Sequence, residues 1–358
     1  MAGKIRVLVV DDSAFARMVL SKMLAADPEI EVVGTAGDPY FARDKILELK
    51  PDLITLDVEM PRMDGLSFLR ILMRERPMPV VMVSSLTERG ADATMRALEL
   101  GAVDFITKPK IDISQGLAPL VPEIIEKIKA AARARVVSPR TPAPADDGER
   151  RAVKMRSPLS RTTQRLLAIG ASTGGTEALR EFLVALPPDA PGGLIVQHMP
   201  EGFTASFARR CDQLSSVHVK EAEDGDRVLQ GHVLIAPGNR QMRLARDGAA
   251  YLVRITDEPP VNRHRPSVDV LFHSVAEWAG SNAVGVILTG MGDDGARGML
   301  AMRRAGARTI AQDRETCVVF GMPREAIAAG GVDEVLPLLE IAPRALQMAA
   351  DNAAVHAA

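Results

Sequence analysis

Short, almost continuous apolar runs alternate with segments of helical period along most of this chain. A run such as Ile5–Val10 or Ala283–Leu288 suits a strand covered on both faces, which marks a parallel sheet. The helical segments between runs supply the crossovers that parallel strands require. A chain written this way has few choices besides open α/β sheets with helices on both faces. Residues 136–165 interrupt the pattern with Pro139, Pro142, Pro144, Pro158, the acidic pair Asp146-Asp147 and no hydrophobic period. They are expected to be a linker between two parts of ordinary domain size.

In residues 1–135 the strands are expected at Ile5–Val10, Glu31–Gly34, Leu53–Leu56, Val80–Ser84 and Asp104–Thr107, each followed by a helical segment. Five βα repeats imply a doubly wound, five-stranded parallel sheet. In residues 166–345 buried strands are expected at Leu166–Ile169, Gly193–Gln197, Val233–Ala236 and Ala283–Leu288. Asp247-Gly248 between Met242–Ala245 and Ala249–Ile255 is a hairpin signal. The second part is therefore expected to be another doubly wound α/β domain, with a mostly parallel sheet and an antiparallel hairpin. Residues 346–358 form an alanine-rich tail, expected as a weakly anchored helix.

A formal net charge of −2 over 358 residues excludes general electrostatic binding to nucleic acid or to a membrane surface. After the linker no segment offers a basic recognition helix. Every apolar run is far shorter than the roughly 18 residues of a membrane span. Met1–Val7 leads straight into a strand, leaving no room for a signal peptide. Cys211 and Cys317, the two cysteines, fit a reducing compartment and core packing rather than a disulfide framework. These features together predict a soluble, cytoplasmic protein.

In the N-terminal part, polar residues follow the strands. Asp11-Asp12 end the first, Asp57 the third, Ser84 the fourth, and Lys108 before Pro109 the fifth. The carboxyl ends of parallel strands converge on one crevice. Three carboxylates there repel one another, and a hard divalent cation, Mg²⁺ above all, would relieve that cost. These are the parts for carrying a phosphoryl group on a carboxylate. Asp57 would accept it, Asp11 and Asp12 would hold the metal with Asp57, and Ser84 and Lys108 would contact phosphate oxygens. Each residue alone could equally be a helix cap or a solvated loop acid.

In the C-terminal part, Gly170-Ala171-Ser172-Thr173-Gly174 joins an apolar run to a helical segment and fits the G-x-S-x-G elbow of a serine nucleophile. A glycine-rich turn of this kind can also cradle phosphate or simply be tight. A serine nucleophile needs a base, and the base an orienting acid. Of the six histidines, His198 follows a buried strand and is the best-placed base. His264 lies in the polar loop Asn262–Ser267, His273 on a helix, His218 and His232 at surface or strand-edge positions, and His356 in the tail. The run Ala283–Leu288 leads into Thr289-Gly290-Met291-Gly292-Asp293-Asp294-Gly295, where either aspartate could be the acid or a helix cap, and glycine-rich backbone could stabilise an oxyanion. The order Ser, His, Asp differs from that of α/β-hydrolases, so the elbow does not carry that fold with it.

Val9-Val10-Asp11-Asp12-Ser13, the stretch Leu56–Gly65 around Asp57, Met82-Val83-Ser84-Ser85 and Thr107-Lys108-Pro109 resemble the response-regulator receiver domain, whose fold is flavodoxin-like. The resemblance implies phosphorylation of Asp57 by a partner histidine kinase, with Ser84 and Phe105 as switch positions. Residues 166–337 closely resemble the catalytic domain of the chemotaxis protein-glutamate methylesterases, through Ile169–Thr176, Gln197–Thr204, Asn262–Ser267, Leu288–Gly295 and Val319–Pro323. That resemblance implies Ser172 as nucleophile, His198 as base, Asp294 as acid and the backbone N–H of Met291 in the oxyanion hole, with no cofactor for the esterase chemistry. It further implies a phosphorylation-activated hydrolase in chemotactic adaptation. Its substrates would be methylated glutamates of chemoreceptors, with methanol released, and certain receptor glutamines would be deamidated.

Overall fold

The computed structural model describes residues 3–85, 87–108, 121–134 and 165–355. Pro109, His356 and the expected linker apart from Arg165 lie outside these residues. The chain divides into two compact units, Met1–Ala143 and Pro144–Ala358.

The first unit alternates β1 (Ile5–Val10), α1 (Ala14–Leu24), β2 (Ile30–Ala36), α2 (Pro39–Leu49), β3 (Leu53–Asp57), α3 (Gly65–Glu75), β4 (Val80–Ser84), α4 (Glu88–Glu99), β5 (Asp104–Thr107) and α5 (Val121–Ala132). The sheet order is β2-β1-β3-β4-β5, and every pairing is parallel. Val7 to Val10 are fully buried, as a strand covered on both faces must be. Helix starts follow their caps: Ser13, Asp38, Asp64 and Thr87 each accept a first-turn N–H of α1, α2, α3 and α4. The order reverses at β1, which has β2 on one side and β3 on the other. A crevice therefore opens at their carboxyl ends.

The second unit begins with β6 (Leu166–Ala171), α6 (Gly175–Val184), β7 (Gly192–Gln197), α7 (Phe203–Leu214), β8 (His218–Glu221) and β9 (His232–Ile235). The hairpin β10 (Gln241–Asp247) and β11 (Ala250–Thr256) follows, then α8 (Val268–Trp278), β12 (Ala283–Ile287), α9 (Ala296–Arg304), β13 (Arg308–Gln312), α10 (Met322–Ala328), β14 (Glu334–Leu336) and α11 (Leu338–Val355). The main sheet has the order β14-β13-β12-β6-β7-β9-β8 with every pairing parallel. The hairpin is a separate two-stranded sheet, with Gly248 at φ 57 in its turn. Ser274 of α8 donates nothing to it but accepts the Leu244 N–H at 2.8 Å, which ties hairpin to helix. Three strands, β8, β13 and β14, add to those expected. The alanine-rich stretch continues α11 as far as Val355. Ile341, Ala342, Ala345, Met348 and Ala349 are buried, so that helix is packed rather than weakly anchored. No helix among the described residues is long and apolar enough to cross a membrane.

Candidate active site

In the first unit, Asp57 ends β3 and Asp11 follows β1, both buried, while Asp12 is exposed. Carboxylate oxygens of Asp11, Asp12 and Asp57 lie within 4.8 Å of one another. Lys108, beyond β5, places its Nζ 2.7 Å from Asp57 Oδ2 and 3.4 Å from Asp11 Oδ2. Burial and the neighbouring Asp11 charge push the Asp57 carboxyl up to about 6, against the Lys108 ammonium and the Glu59 amide. Burial works against the Lys108 charge, but Asp57 and Asp11 outweigh it and hold that ammonium protonated beyond its usual range. Arg17 of α1 donates to the carbonyls of Asp11 at 2.7 Å and Asp12 at 2.9 Å, fixing the turn that presents both acids. The glycine at 65 is enforced: a Cβ there would stand 2.0 Å from the Asp57 carbonyl oxygen.

The two residues expected as switch positions make their hydrogen bonds elsewhere. Ser84 Oγ donates to the Gly90 carbonyl at 3.1 Å and the Ser85 carbonyl at 3.3 Å, toward α4. Phe105 is buried in β5. Lys127 of α5 donates to its carbonyl at 2.9 Å and lies 5.2 Å from its ring centroid. Arg17 and Lys127 were not foreseen from sequence; each is one basic residue on a solvated helix face until the fold places it.

In the second unit, Ser172, His198 and the 288–294 segment follow β6, β7 and β12, which are adjacent at the point where the strand order reverses. The register pairs Ala171 with Gln197, so Ser172 and His198 come next in line on neighbouring strands. The turn is tight. Ser172 N donates to Thr289 O at 3.0 Å, its carbonyl accepts from Gly175 N at 2.7 Å and Gln197 Nε2 at 2.9 Å, and Gly174 takes φ 76. Thr289 Oγ1 donates to the Thr173 carbonyl at 3.0 Å, knitting the same turn to β12. Ser172 Oγ itself has no hydrogen-bond partner among the described residues.

His198 Nε2 lies 2.8 Å from Asp294 Oδ2. Its Nδ1 is buried without a partner among the described residues. Its ring stacks on His264 at 3.7 Å and 11°. A carboxylate accepts only, so Nε2 carries the proton and Nδ1 is left as the acceptor. Asp294, 1% exposed, also accepts from Asn262 Nδ2 at 2.7 Å, Ser267 Oγ at 2.8 Å, Val268 N at 2.7 Å and Asp269 N at 3.2 Å. The last two amides belong to the first turn of α8, where backbone donors and the helix dipole favour a negative charge. Burial alone would push this carboxyl up, but His198, Asn262 and Ser267 outweigh it and hold it well below the usual carboxylate range.

The two aspartates are thereby separated. Asp293 is exposed, while Asp294 meets the histidine. Neither caps α9, whose N-cap is Gly295 without a side-chain bond. The Met291 N–H donates no hydrogen bond among the described residues. His273 is exposed on α8, and His218 and His232 lie at the starts of β8 and β9 with ring centroids 5.1 Å apart. Sequence reasoning singled out the loop 262–267 without seeing that Asn262 and Ser267 would grip the acid.

A receiver-like carboxylate crevice in one unit and, in the other, a histidine–aspartate pair at the strand ends next to Ser172 mark a response regulator with an enzymatic output. Family models agree: residues 7–117 match the response regulator receiver domain and residues 167–345 match CheB methylesterase. The chain belongs to the CheB methylesterase family. It is 60% identical over 345 residues to protein-glutamate methylesterase/protein-glutamine glutaminase 2 of Cupriavidus pinatubonensis, covering 96% of each chain. It is also 60% identical over 350 residues to the protein-glutamate methylesterase/protein-glutamine glutaminase of Bordetella parapertussis, covering 98% of each. The crystal structure of the Thermotoga maritima CheB methylesterase catalytic domain superposes with TM-score 0.51 at 41% identity, covering 51% of this chain and 98% of that one.

Proposed function

We propose that this chain is a phosphorylation-activated hydrolase that removes methyl esters from glutamate side chains of chemoreceptors, and deamidates certain receptor glutamines, in chemotactic adaptation. The observation that carries the reading is the His198 ring. One nitrogen is tied to a buried, charged Asp294, and the other is buried without a partner among the described residues, at the end of the strand next to the one that leads into Ser172. Ser172 Oγ attacks the ester carbonyl carbon while His198 Nδ1 takes its proton. Asp294 keeps the ring oriented and stabilises the imidazolium. The unoccupied Met291 N–H is suited to the oxyanion of the tetrahedral intermediate. The intermediate collapses, methanol leaves with the proton from His198, and an acyl-enzyme remains. Water then gives its proton to Nδ1 and attacks the acyl carbon; release of Ser172 restores the resting state. A glutamine amide follows the same path with ammonia as leaving group.

In the receiver unit, Asp57 is the phosphoryl acceptor and its phosphodonor a chemotaxis histidine kinase. The cluster of Asp11, Asp12 and Asp57 offers hard oxygen donors with one acid open to solvent, which fits Mg²⁺. The ion, when bound, would neutralise the incoming phosphoryl charge. Lys108 would exchange Asp57 for a phosphoryl oxygen, and Ser84 would leave the Gly90 carbonyl to do the same. Phe105 would move with it, carrying the change to α5 through Lys127. Cys211 and Cys317, both buried and outside any disulfide, accord with a cytoplasmic protein.

Methanol release from methylated receptor, with and without a phosphodonor, tests the reading. Ser172→Ala should cost about 10⁴-fold or more in rate. Asp57→Asn should retain the basal rate and lose the stimulation. Activity surviving Ser172→Ala would overturn the serine assignment. A glutamine-bearing receptor should gain one dalton per deamidated side chain.

A further inference from the structure

Asn262 stands in the left-handed region at φ 50, and Arg263 follows at φ 67. Asparagine tolerates this backbone better than most residues, which by itself would explain its presence. Its side chain does more. Nδ2 lies 2.7 Å from Asp294 Oδ1 and 2.8 Å from Asp269 Oδ2. One amide nitrogen carries two hydrogens, so both bonds form at once. The carboxylates it joins are 1% and 3% exposed. Asp269 also accepts the Gly298 N–H at 2.7 Å, which ties the pair to α9. Burial and the Asp294 charge push the Asp269 carboxyl above its usual range. Two buried acids side by side are unfavourable unless a donor lies between them.

We propose that Asn262 is a positioning residue for the esterase reaction: its amide clamps Asp294 Oδ1 beside Asp269, so that Oδ2 stays aimed at His198. Among the described residues the Asn262 amide hydrogen-bonds to neither the serine nor the imidazole, and acts through the acid. The inference rests on the reading of Ser172, His198 and Asp294 as the reacting group. Besides this amide, Oδ1 accepts from Ser267 Oγ and the Asp269 N–H, while Oδ2 accepts from the Val268 N–H and faces His198 Nε2. Removal of the amide leaves Oδ1 of the buried Asp294 with two donors in place of three, and Asp269 unscreened beside it.

Two variants of the full chain separate the amide from the backbone. Asn262→Gly keeps the left-handed conformation without strain and removes only the donor. Asn262→Asp keeps size and backbone tolerance and replaces the donor with a third carboxylate. With methylated receptor as substrate, Asn262→Gly should lower kcat about 10- to 100-fold, the range of one hydrogen bond to a charged group, with KM little changed. Asn262→Asp should lose more than the glycine variant. The downfield proton resonance of the His198–Asp294 bond should shift upfield or broaden in both. A glycine variant with wild-type kcat and an unmoved resonance would overturn the proposal, as would equal loss in both variants with that resonance intact. Ser172→Ala run in parallel keeps the two readings apart. If it is inactive while Asn262→Gly is fully active, only the positioning role fails; if it is active, the serine reading fails first.

Discussion

Two aspartates at strand ends meet opposite surroundings. Asp294 is met by donors on both oxygens, so its charge survives a dry interior. Asp57 has one ammonium and one long amide contact, and a second acid beside it, so burial wins and its carboxyl rises to about 6. The consequence for stability has a definite sign. A folded pKa of about 6 against 3.8 in the unfolded chain means that the folded state holds the proton more tightly. That contribution is fully present below about 3.8 and is lost as pH rises through 6. Above pH 6 the ionised Asp57 therefore costs stability, by up to about 3 kcal/mol. In chelator, Asp57→Asn should melt higher than the wild type at pH 8, with the gap closing toward pH 4. A gap that stays constant with pH would contradict this, and Mg²⁺ should narrow it at pH 8 by stabilising the wild type.

The elements of the second unit were legible where they are apolar and hidden where they are not. β6, β7, β9 and β12 are buried runs that announce themselves. β13 escaped because Thr309 and Gln312, both fully buried, take inward places that sequence patterning reserves for hydrophobic residues. β8 offers one buried residue, Val219, in four positions, and β14 has three residues in all. The site shows the same division. Ser172, His198 and Asp294 each follow a recognisable strand, so their convergence could be read from the order of elements. The hold of Asn262 on Asp294 depends on a left-handed backbone and a helix entry from elsewhere in the chain, which no periodicity records. Close approach of strand ends also carries a prediction. A Cβ at Gly290 would lie 2.3 Å from Met322 Sδ, 2.8 Å from Ser172 Cβ and 3.0 Å from Ser172 N. The methionine can swing away, but the serine turn cannot. Gly290→Ala should lower kcat about 100-fold by displacing the nucleophile, with a small change in melting temperature. Full activity in that variant would show that the turn has slack.

At the scale of the whole molecule, each unit carries its own buried sheet and its own candidate site at the reversal of its strand order. Each should therefore unfold as its own cooperative transition in calorimetry, and Asp57→Asn should move one of the two. A single transition shifted as a whole would mean that the units stabilise each other strongly. The edges of the seven-stranded sheet have a separate meaning. It ends in β14, three residues long, and β8, four residues long with exposed Lys220 in it. A rim so short, with charged residues on both edge strands, gives a second chain little backbone to pair with. The catalytic unit can thus keep a seven-stranded, largely apolar sheet while remaining a poor template for amyloid-like stacking when it is crowded.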